Sequence, residues 1–275
     1  MKFTFIRPTA ELQPYISSYG IFESKTGIPT NNSFVVPNER FRIVIPFENS
    51  LTIHSENKAV TGQAPDLFLS GLWSVPTTIS STSQETRTIG IDLSPRGLYR
   101  FFTLNMREIT NHVYSFDDLF GAWGRRLQHA LGNIESPQSK IAFLQNALIY
   151  QLRRNTQDYS LIDHTVDLIM RSQGMIRIRS LETETGYSSR YLDMLFQRYV
   201  GVSPKFLANT IRFQRFFKLW AKTDATTFFR DELYASYFDE SHFIKEFKRF
   251  TGYSPLNFAQ RNPEFSRAFY SQWDF

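Results

Sequence analysis

The chain has 275 residues, of which 41% are hydrophobic and 21% charged, so an intrinsically disordered protein is excluded and one large or two smaller domains are expected. It has no cysteine, which excludes disulfides, iron–sulfur clusters, thiolate zinc sites and cysteine nucleophiles, and favours a reducing compartment. The net charge of +5 lies entirely in residues 174–261, which hold fourteen Lys/Arg and nine Asp/Glu. No apolar run approaches the roughly 20 residues of a membrane helix, and Met1–Pro8 lacks a signal-peptide core, so we expect a cytoplasmic protein without membrane contact.

Residues 1–92 predict a β-rich domain. Three segments, 41–47, 51–54 and 86–93, alternate apolar and polar residues and are rich in β-branched side chains. Turn-forming runs such as Pro29-Thr30-Asn31-Asn32 separate them. Several short strands with frequent turns favour a sandwich or a small barrel.

From Ser94 to about residue 155 the apolar period is helical. Ser94, Ser115 and Ser136 each stand at a predicted helix N-cap. Four leucines in the last two of these helices can pack within the chain or pair between two copies as a homodimer; they are Leu127, Leu131, Leu144 and Leu148. The polar run 153–158 is the predicted linker, and everything after it is predicted to be helical.

An internal repeat marks the C-terminal part. FQRYVGVSP at 196–204 recurs as FKRFTGYSP at 247–255, an offset of 51 residues that indicates a duplicated supersecondary unit. In each copy a glycine ends one helix and Ser-Pro begins the next. Between the copies, Ser203 to Lys222 predicts one helix about 30 Å long.

Each copy is preceded by a second short helix and a turn. In the first unit the short helix 181–185 turns at Gly186 into a helix over 189–199, with Leu192, Phe196 and Tyr199 on its buried side. In the second unit the helix 231–235 turns at 236–239 into a helix whose buried side carries Phe243, Phe247 and Phe250. Two short helices joined by a tight turn form a helix-turn-helix, whose second helix fits the major groove of DNA. Two such units can enter successive major grooves about 34 Å apart.

The C-terminal part, over about 160–261, resembles the AraC/XylS family of bacterial transcription regulators. The segments that carry the resemblance are GYSSRYL at 186–192, FQRYVGVSP at 196–204, YFDESHF at 237–243 and FKRFTGYSP at 247–255. The resemblance implies promoter binding through two helix-turn-helix units and a variable N-terminal regulatory domain. Arg7-Pro8, ELQPYI at 11–16 and VPNE at 36–39 are similar to one N-terminal subgroup of that family.

The resemblance also implies base readout near Arg190, Asp193, Met194 and Gln197 in the first unit, and near Glu240, Ser241 and Lys245 in the second. We predict thirteen DNA-contacting residues in all, and these are Ser188, Ser189, Arg190, Asp193, Met194, Gln197, Arg198, Glu240, Ser241, His242, Lys245, Lys248 and Arg249. Asp193 is interpreted either as an acceptor from cytosine N4 or as an i,i+3 partner of Arg190.

Three residues depart from the usual helix-turn-helix pattern. Glu182 and Glu232 stand where the first helix usually has a small residue, and Ser236 stands where the second turn usually has glycine. The second unit is therefore expected to bind DNA more weakly or to serve mainly as a phosphate contact. The same departures suit an alternative function, a protein–protein interaction module with degenerate helix-turn-helix units.

Catalysis has little support in the sequence. The five histidines have no metal-binding spacing, and Gly-x-Ser-x-Gly, a P-loop and a dinucleotide glycine fingerprint are all missing from the sequence. We predict no enzyme, no cofactor and no metal site, with an enzyme in the β-rich domain as the weaker alternative.

The sequence thus predicts an α+β chain. A β-rich, barrel- or sandwich-like regulatory domain with packed helices occupies 1–155 (β-rich core 1–92, helices 94–155), an all-α DNA-binding domain 158–262 and a tail 263–275. The expected partner is double-stranded promoter DNA, with RNA polymerase, a small-molecule effector and a second copy as further candidates. Activation and repression are not distinguished.

Overall fold

A computed structural model describes residues 2–28, 34–55, 58–62, 66–81, 85–222, 240–260 and 270. Its ten described strands are β1 Lys2–Ile6, β2 Ile16–Ser24, β3 Phe34–Val35, β4 Phe41–Glu48, β5 Leu51–Ser55, β6 Lys58–Gly62, β7 Phe68–Ser70, β8 Thr77–Ser80, β9 Thr86–Leu93 and β10 Val113–Ser115. They form two antiparallel sheets, one ordered β1-β2-β9-β4-β7-β10 and the other β3-β8-β5-β6. The sandwich prediction is therefore confirmed.

The six-stranded sheet has two unlike faces because side chains alternate along each strand. One face carries fully buried residues such as Tyr19, Ile43, Ile89 and Ile91, which pack in one core with the helices. The opposite face looks across to the four-stranded sheet. Two glycines, Gly20 and Gly90, stand near the middle of that face.

The ten described helices, numbered in chain order, are α1 Gly97–Phe101, α2 Met106–Ile109, α3 Phe116–Gly132, α4 Pro137–Arg154, α5 Ser160–Arg171, α6 Ile178–Thr185, α7 Ser189–Tyr199, α8 Pro204–Lys222, α9 Glu240–Thr251 and α10 Pro255–Gln260. Ser115 and Ser136 cap α3 and α4 through their side chains, as predicted. The four leucines at 127, 131, 144 and 148 are all buried in the core of this chain, which is the intramolecular alternative.

Two details of the helical prediction for 94–155 are wrong. Ser94 is not an N-cap, because its hydroxyl donates to the Pro14 carbonyl oxygen at 3.0 Å and its backbone is held by Tyr15. The helix begins only at Gly97. Residues 113–115 form β10, which pairs with β7 at the sheet edge. Three residues are too few to show a strand period, so only the neighbouring strand reveals it.

Helix α5 packs the C-terminal helices onto the N-terminal part. The Tyr99 hydroxyl donates to Asp163 Oδ1 at 2.6 Å, and the Arg96 guanidinium lies 2.9 Å from Asp167. The predicted linker is anchored too, since the Asn155 side chain donates to the Tyr99 carbonyl oxygen at 3.0 Å. One hydrophobic core runs continuously from the six-stranded sheet to α8. The domain boundaries at 155 and 158 stay a prediction.

Candidate nucleic-acid interface

The first unit is a helix-turn-helix made of α6 and α7. Helix α6 ends at Gly186, whose φ of 74° is the left-handed conformation that glycine adopts without strain. Ser188 caps α7 by accepting a hydrogen bond from the Tyr191 backbone N–H at 3.3 Å. Leu192 and Phe196 are buried, as predicted, while Tyr199 is half-buried. The sequence therefore set both the turn and the side on which α7 is buried.

The departure at Glu182 has a structural explanation. Its Oε1 atom accepts a hydrogen bond from the Ser189 backbone N–H at 2.6 Å, at the first turn of α7. A carboxylate at a helix N-terminus satisfies an otherwise unpaired N–H and is stabilised by the helix dipole. This hydrogen bond lowers the pKa of Glu182 below its ordinary value. Glu182 is thus a cap, and not a sign of degeneration.

The predicted contact residues of the first unit share one outward side of α7, here called the reading face. Ser188, Ser189, Arg190, Asp193, Met194 and Arg198 are exposed, and Gln197 is half-buried. Met194 keeps 61% of its surface accessible, which is unusual for a large apolar side chain. Within the described part of the chain no ion pair joins Arg190 to Asp193. Both charges remain available to a partner.

The second unit is described from α9 onward. The predicted helix 231–235, the turn 236–239 and the departures Glu232 and Ser236 lie outside the described residues, as do the side chains of Glu240 and His242. Phe243, Phe247 and Phe250 are completely buried, as predicted. Exposed residues cover the other side, and these are Ser241, Ile244, Lys245, Lys248 and Arg249.

A buried ion pair fixes α9 against α8. Arg212 Nη2 donates to both carboxylate oxygens of Glu246, at 3.2 and 2.9 Å. The Glu246 side chain is only 5% exposed, so its charge is held away from water. Helix α8 spans 19 residues, which gives a rod of about 28 Å. The ion pair therefore holds α9 against α8, the long helix that is predicted to connect the two units.

The two copies of the repeat end their second helices in the same way. Gly201 and Gly252 have φ values of 79° and 80°, and Ser203 and Ser254 each accept a hydrogen bond from a backbone N–H of the helix that follows. The helix-end predictions are confirmed in both copies.

Arg198 and Arg249, at equivalent positions of the two copies, also have similar surroundings. The Arg198 guanidinium carbon lies 5.3 Å from the centre of the Tyr199 ring, and that of Arg249 lies 5.9 Å from the Phe250 ring. Arg249 also lies 5.3 Å from the ring of Phe206 on α8. Cation–π contacts of this kind hold a guanidinium at the edge of its unit.

The reading face of α7 lines a cleft of about 970 Å³. The opposite wall is formed by residues 103–105 and Arg107, at the start of α2. Outside the cleft lining, the Thr110 hydroxyl donates to the Gly201 carbonyl oxygen at 3.0 Å, which ties the end of α2 to the residues that follow α7. Tyr199 meets Tyr99 edge-on, with ring centres 5.7 Å apart. No sequence pattern predicts this cleft, because its two walls are about 90 residues apart in the chain.

Ile244 was missed as a candidate contact. The 51-residue offset places it where α7 has Asp193, and 39% of its surface is exposed. Aligning the two copies position by position would have found it. Elsewhere in the described residues, no cluster of three or more His, Cys, Asp or Glu side chains is placed to hold a metal ion. No described helix is both long and apolar enough to cross a membrane.

Comparisons with known proteins match the chain in two parts. Residues 181–261 match a family model described as a helix-turn-helix domain, and residues 4–115 match a domain of unknown function, DUF6597. A structure of ToxT from Vibrio cholerae is 11% identical over 88% of this chain and 97% of that chain, with a TM-score of 0.49. ToxT with an unsaturated fatty acid bound is 12% identical over 92% of this chain and 96% of that chain, with a TM-score of 0.48. A cupin-2 domain protein from Shewanella frigidimarina is 13% identical over 34% of this chain and 79% of that chain, with a TM-score of 0.26. No curated protein sequence matches the chain.

Proposed function

We propose that the chain is a DNA-binding transcription regulator of the AraC/XylS type, because residues 181–261 match a helix-turn-helix family, and that its two units divide the work of recognition. Helix α7 reads base edges, and α9 holds mainly the phosphate backbone. The observation that supports this proposal is a difference in chemistry: α7 and α9 occupy equivalent places in the two copies of the repeat, but their exposed faces carry different kinds of side chain.

The face of α7 is chemically mixed, as base readout requires. Arg190 can donate twice to guanine O6 and N7, and Asp193 can accept from cytosine N4. Gln197 suits adenine, and the exposed thioether of Met194 suits the methyl group of thymine. Arg190 and Asp193 together carry no net charge, so this face contributes selectivity more than electrostatic affinity.

The face of α9 is basic instead. The 51-residue offset places four residues of α9 where α7 has its outward set, and these are Ser241, Ile244, Lys245 and Lys248. The two lysines add two positive charges without a carboxylate among those positions, which suits phosphate contacts. Ile244 offers an apolar contact to a thymine methyl group. Arg198 and Arg249, held over their neighbouring rings, add one phosphate contact at the edge of each unit.

Helix α8 sets the distance between the two readers. Its length of about 28 Å is comparable to the roughly 34 Å between successive turns of the major groove. The Arg212–Glu246 pair holds α9 against this connector. The two units thereby bind neighbouring grooves on one side of a duplex.

Binding requires the cleft beside α7 to open. A helix in the major groove, about 12 Å wide, has a phosphate strand on each side of it. Residues 103–105 and Arg107 stand on one of those sides in the structure. The closed cleft is therefore a state with low DNA affinity, and separation of α2 from α7 precedes binding.

The experiment that tests the proposal is a footprint of the intact protein on duplexes selected from random sequence, combined with a salt titration. Two protected tracts about one helical turn apart are expected, with a log–log salt slope steeper than about −3 from several phosphate contacts. A single protected tract or salt-independent binding would contradict the two-unit assignment.

The proposals on cellular location, partners and regulation follow from the same assignment as a transcription regulator. The regulator acts in the cytoplasm, where promoter DNA and RNA polymerase are its partners, and a small-molecule effector acts through the N-terminal part. A homodimer would need a surface other than the four leucines, because they are buried within one chain. The family consists of regulators, and we propose no catalytic activity for this chain.

A further inference from the structure

Three N-terminal segments that the proposed DNA contacts do not use meet at one end of the six-stranded sheet. These segments are Arg7-Pro8, residues 11–16 and residues 36–39. Ile16 at the start of β2 pairs with Leu93 at the end of β9, and Phe41 at the start of β4 pairs with the same Leu93. The chain before β2, the chain before β4 and the chain after β9 therefore lie side by side.

These parts of the chain surround a cavity of about 290 Å³, here called the strand-end cavity. It is larger than the roughly 150 Å³ that holds benzene in an engineered protein interior, so a molecule of about nine non-hydrogen atoms fits. Four apolar residues form one part of its wall, and these are Pro8, Ile16, Pro95 and Met170. A separate cavity lies between the two sheets beside Gly20 and Gly90, and of the residues that line the strand-end cavity only Arg40 also borders it.

Polar contacts hold the loop before β2 in place. Gln13 Nε2 donates to the Pro8 carbonyl oxygen at 3.1 Å. On the outer side of the loop, Arg153 of α4 donates to both carboxylate oxygens of Glu11 at 3.1 Å. The part of the cavity wall that this loop forms is therefore preorganised, which lowers the entropic cost of binding.

A neutral cluster of buried charges borders the cavity. Glu39 and Arg40 both line it, and they are 8% and 7% exposed. Arg40 Nε donates to Glu39 Oε1 at 3.3 Å. Arg42 Nε donates to Asp92 Oδ1 at 2.6 Å, and Arg40 Nη1 lies 3.9 Å from Asp92 Oδ2, which joins the two pairs. The cluster thus holds two guanidinium groups and two carboxylates, and its charges balance.

One carboxylate oxygen of this cluster lacks a hydrogen bond. Among the described residues, Glu39 Oε2 has no hydrogen-bond partner. The terminal torsion of glutamate is soft, so either oxygen can turn toward the cavity that Glu39 lines. A buried acceptor without a partner is costly, so a donor on a bound molecule would stabilise the complex. Since the cluster is already neutral, an ammonium group would add an uncompensated charge, and a neutral hydroxyl donor fits better.

Arg7 supplies the remaining positive charge of the cavity wall. Its side chain is exposed, lines the cavity, and makes neither an ion pair nor a hydrogen bond within the described part of the chain. A guanidinium group binds a carboxylate through two parallel hydrogen bonds. The half-buried Ser17 hydroxyl lines the same cavity and can donate to that carboxylate as well. One negative charge on the ligand would balance Arg7, because the buried cluster is neutral.

We propose that the strand-end cavity binds a small α-hydroxy acid with an apolar side chain. The carboxylate of this acid binds Arg7, its hydroxyl donates to Glu39, and its side chain packs against Ile16 and Met170. Binding of such an acid is independent of the proposed function, since none of these residues lies on α7 or α9.

Calorimetric titration of the intact protein with three acids of one carbon skeleton tests this proposal. The acids are 2-hydroxy-4-methylpentanoate, leucine and 4-methylpentanoate, which carry a hydroxyl group, an ammonium group or only hydrogen beside the carboxylate. The hydroxy acid is expected to bind most tightly. The lost hydrogen bond should weaken binding of 4-methylpentanoate about fivefold, and the uncompensated charge should weaken binding of leucine at least as much.

Two substitutions connect the binding to the named side chains. Arg7→Gln should weaken binding of the hydroxy acid roughly tenfold or more, because a charge-assisted pair is lost. Glu39→Gln should reduce the preference for the hydroxy acid over 4-methylpentanoate, because an amide oxygen is a weaker acceptor than a carboxylate. The matched control is Arg126→Gln, at an exposed position of α3 outside the cavity lining, which should bind as the wild type does.

Several results would overturn the assignment. It fails if neither 2-hydroxy-4-methylpentanoate nor the smaller lactate binds, if leucine or 4-methylpentanoate binds equally well or more tightly, or if Arg7→Gln loses no more affinity than Arg126→Gln. Circular dichroism of each variant establishes folding. If Glu39→Gln does not fold, the acid series and Arg7→Gln still decide, since neither alters the buried cluster.

Discussion

Replacing Thr110 with valine tests whether the contact between α2 and α7 holds the protein in its low-affinity state. The Thr110 hydroxyl lies 3.0 Å from the Gly201 carbonyl oxygen and 3.0 Å from the Met106 carbonyl oxygen. Valine has nearly the same shape but cannot donate. The single hydrogen of the hydroxyl is shared between these two acceptors, so the change removes the hydrogen bond to Gly201, just after α7, together with the one to Met106, and leaves most of the packing in place.

The expected magnitude follows from this one bond. A typical hydrogen bond contributes about 1 kcal/mol net. If the closed state predominates, weakening it by about 1 kcal/mol raises the binding-competent fraction, and with it the apparent DNA affinity, about fivefold. The increase should come without a change in the salt slope, because no phosphate contact is altered.

Fluorescence anisotropy with a duplex selected by the wild-type protein measures this effect. Thr103→Val is the matched control, since Thr103 lies on the same wall of the cleft and its hydroxyl makes no hydrogen bond to the described residues. An unchanged or weaker affinity of Thr110→Val would refute the idea that the closed cleft limits DNA binding. An equal gain in Thr103→Val would show that the Gly201 contact is not the relevant one.

The other predictions concern recognition, the connector and the cap. Arg190→Ala should weaken binding to the selected duplex by about 1–3 kcal/mol but bind random duplex almost normally; a uniform loss on both would reject base readout. Lys248→Ala should weaken both duplexes alike and reduce the salt slope by about one, and an unchanged slope would remove it from the phosphate contacts. Glu246→Ala should cost about 3–5 kcal/mol in urea unfolding because it leaves Arg212 buried, whereas replacing both residues by methionine should be nearly neutral; a small loss in the single variant would argue against a buried pair. Because the pKa of Glu182 is lowered in the folded state, its stabilisation is complete above the ordinary pKa and is lost as pH falls through the lowered value. Glu182→Gln should therefore lose less stability than wild type between about pH 5 and pH 3, and parallel losses would contradict the capping role.

Local sequence patterns were enough to predict the helix ends and the buried helix sides of the C-terminal units. Glycine in a left-handed conformation, Ser-Pro at a helix start and apolar residues every three or four positions act within one or two turns of chain. The turn at Gly186, the ends at Gly201 and Gly252 and the buried sides of α7 and α9 follow from such patterns. The repeat itself fixed the register of the exposed faces.

Local sequence patterns gave the wrong role for a residue where its hydrogen-bond partner lies in a more distant segment. Ser94 has the features of an N-cap, but its hydroxyl is taken by Pro14, 80 residues away in the chain. Glu182 looked out of place in a helix-turn-helix, because only the folded unit brings it to the Ser189 backbone N–H.

The sequence alone therefore determined that a β-rich domain is followed by a duplicated, basic helical unit. Composition, charge and helix-end chemistry are properties of short stretches of chain. Tertiary structure alone decided that α7 faces residues 103–105 and Arg107, and that Gly20 and Gly90, 70 positions apart, meet on neighbouring strands to leave a cavity. Strand register and helix docking depend on contacts between remote segments, and no local pattern encodes which of those segments will meet.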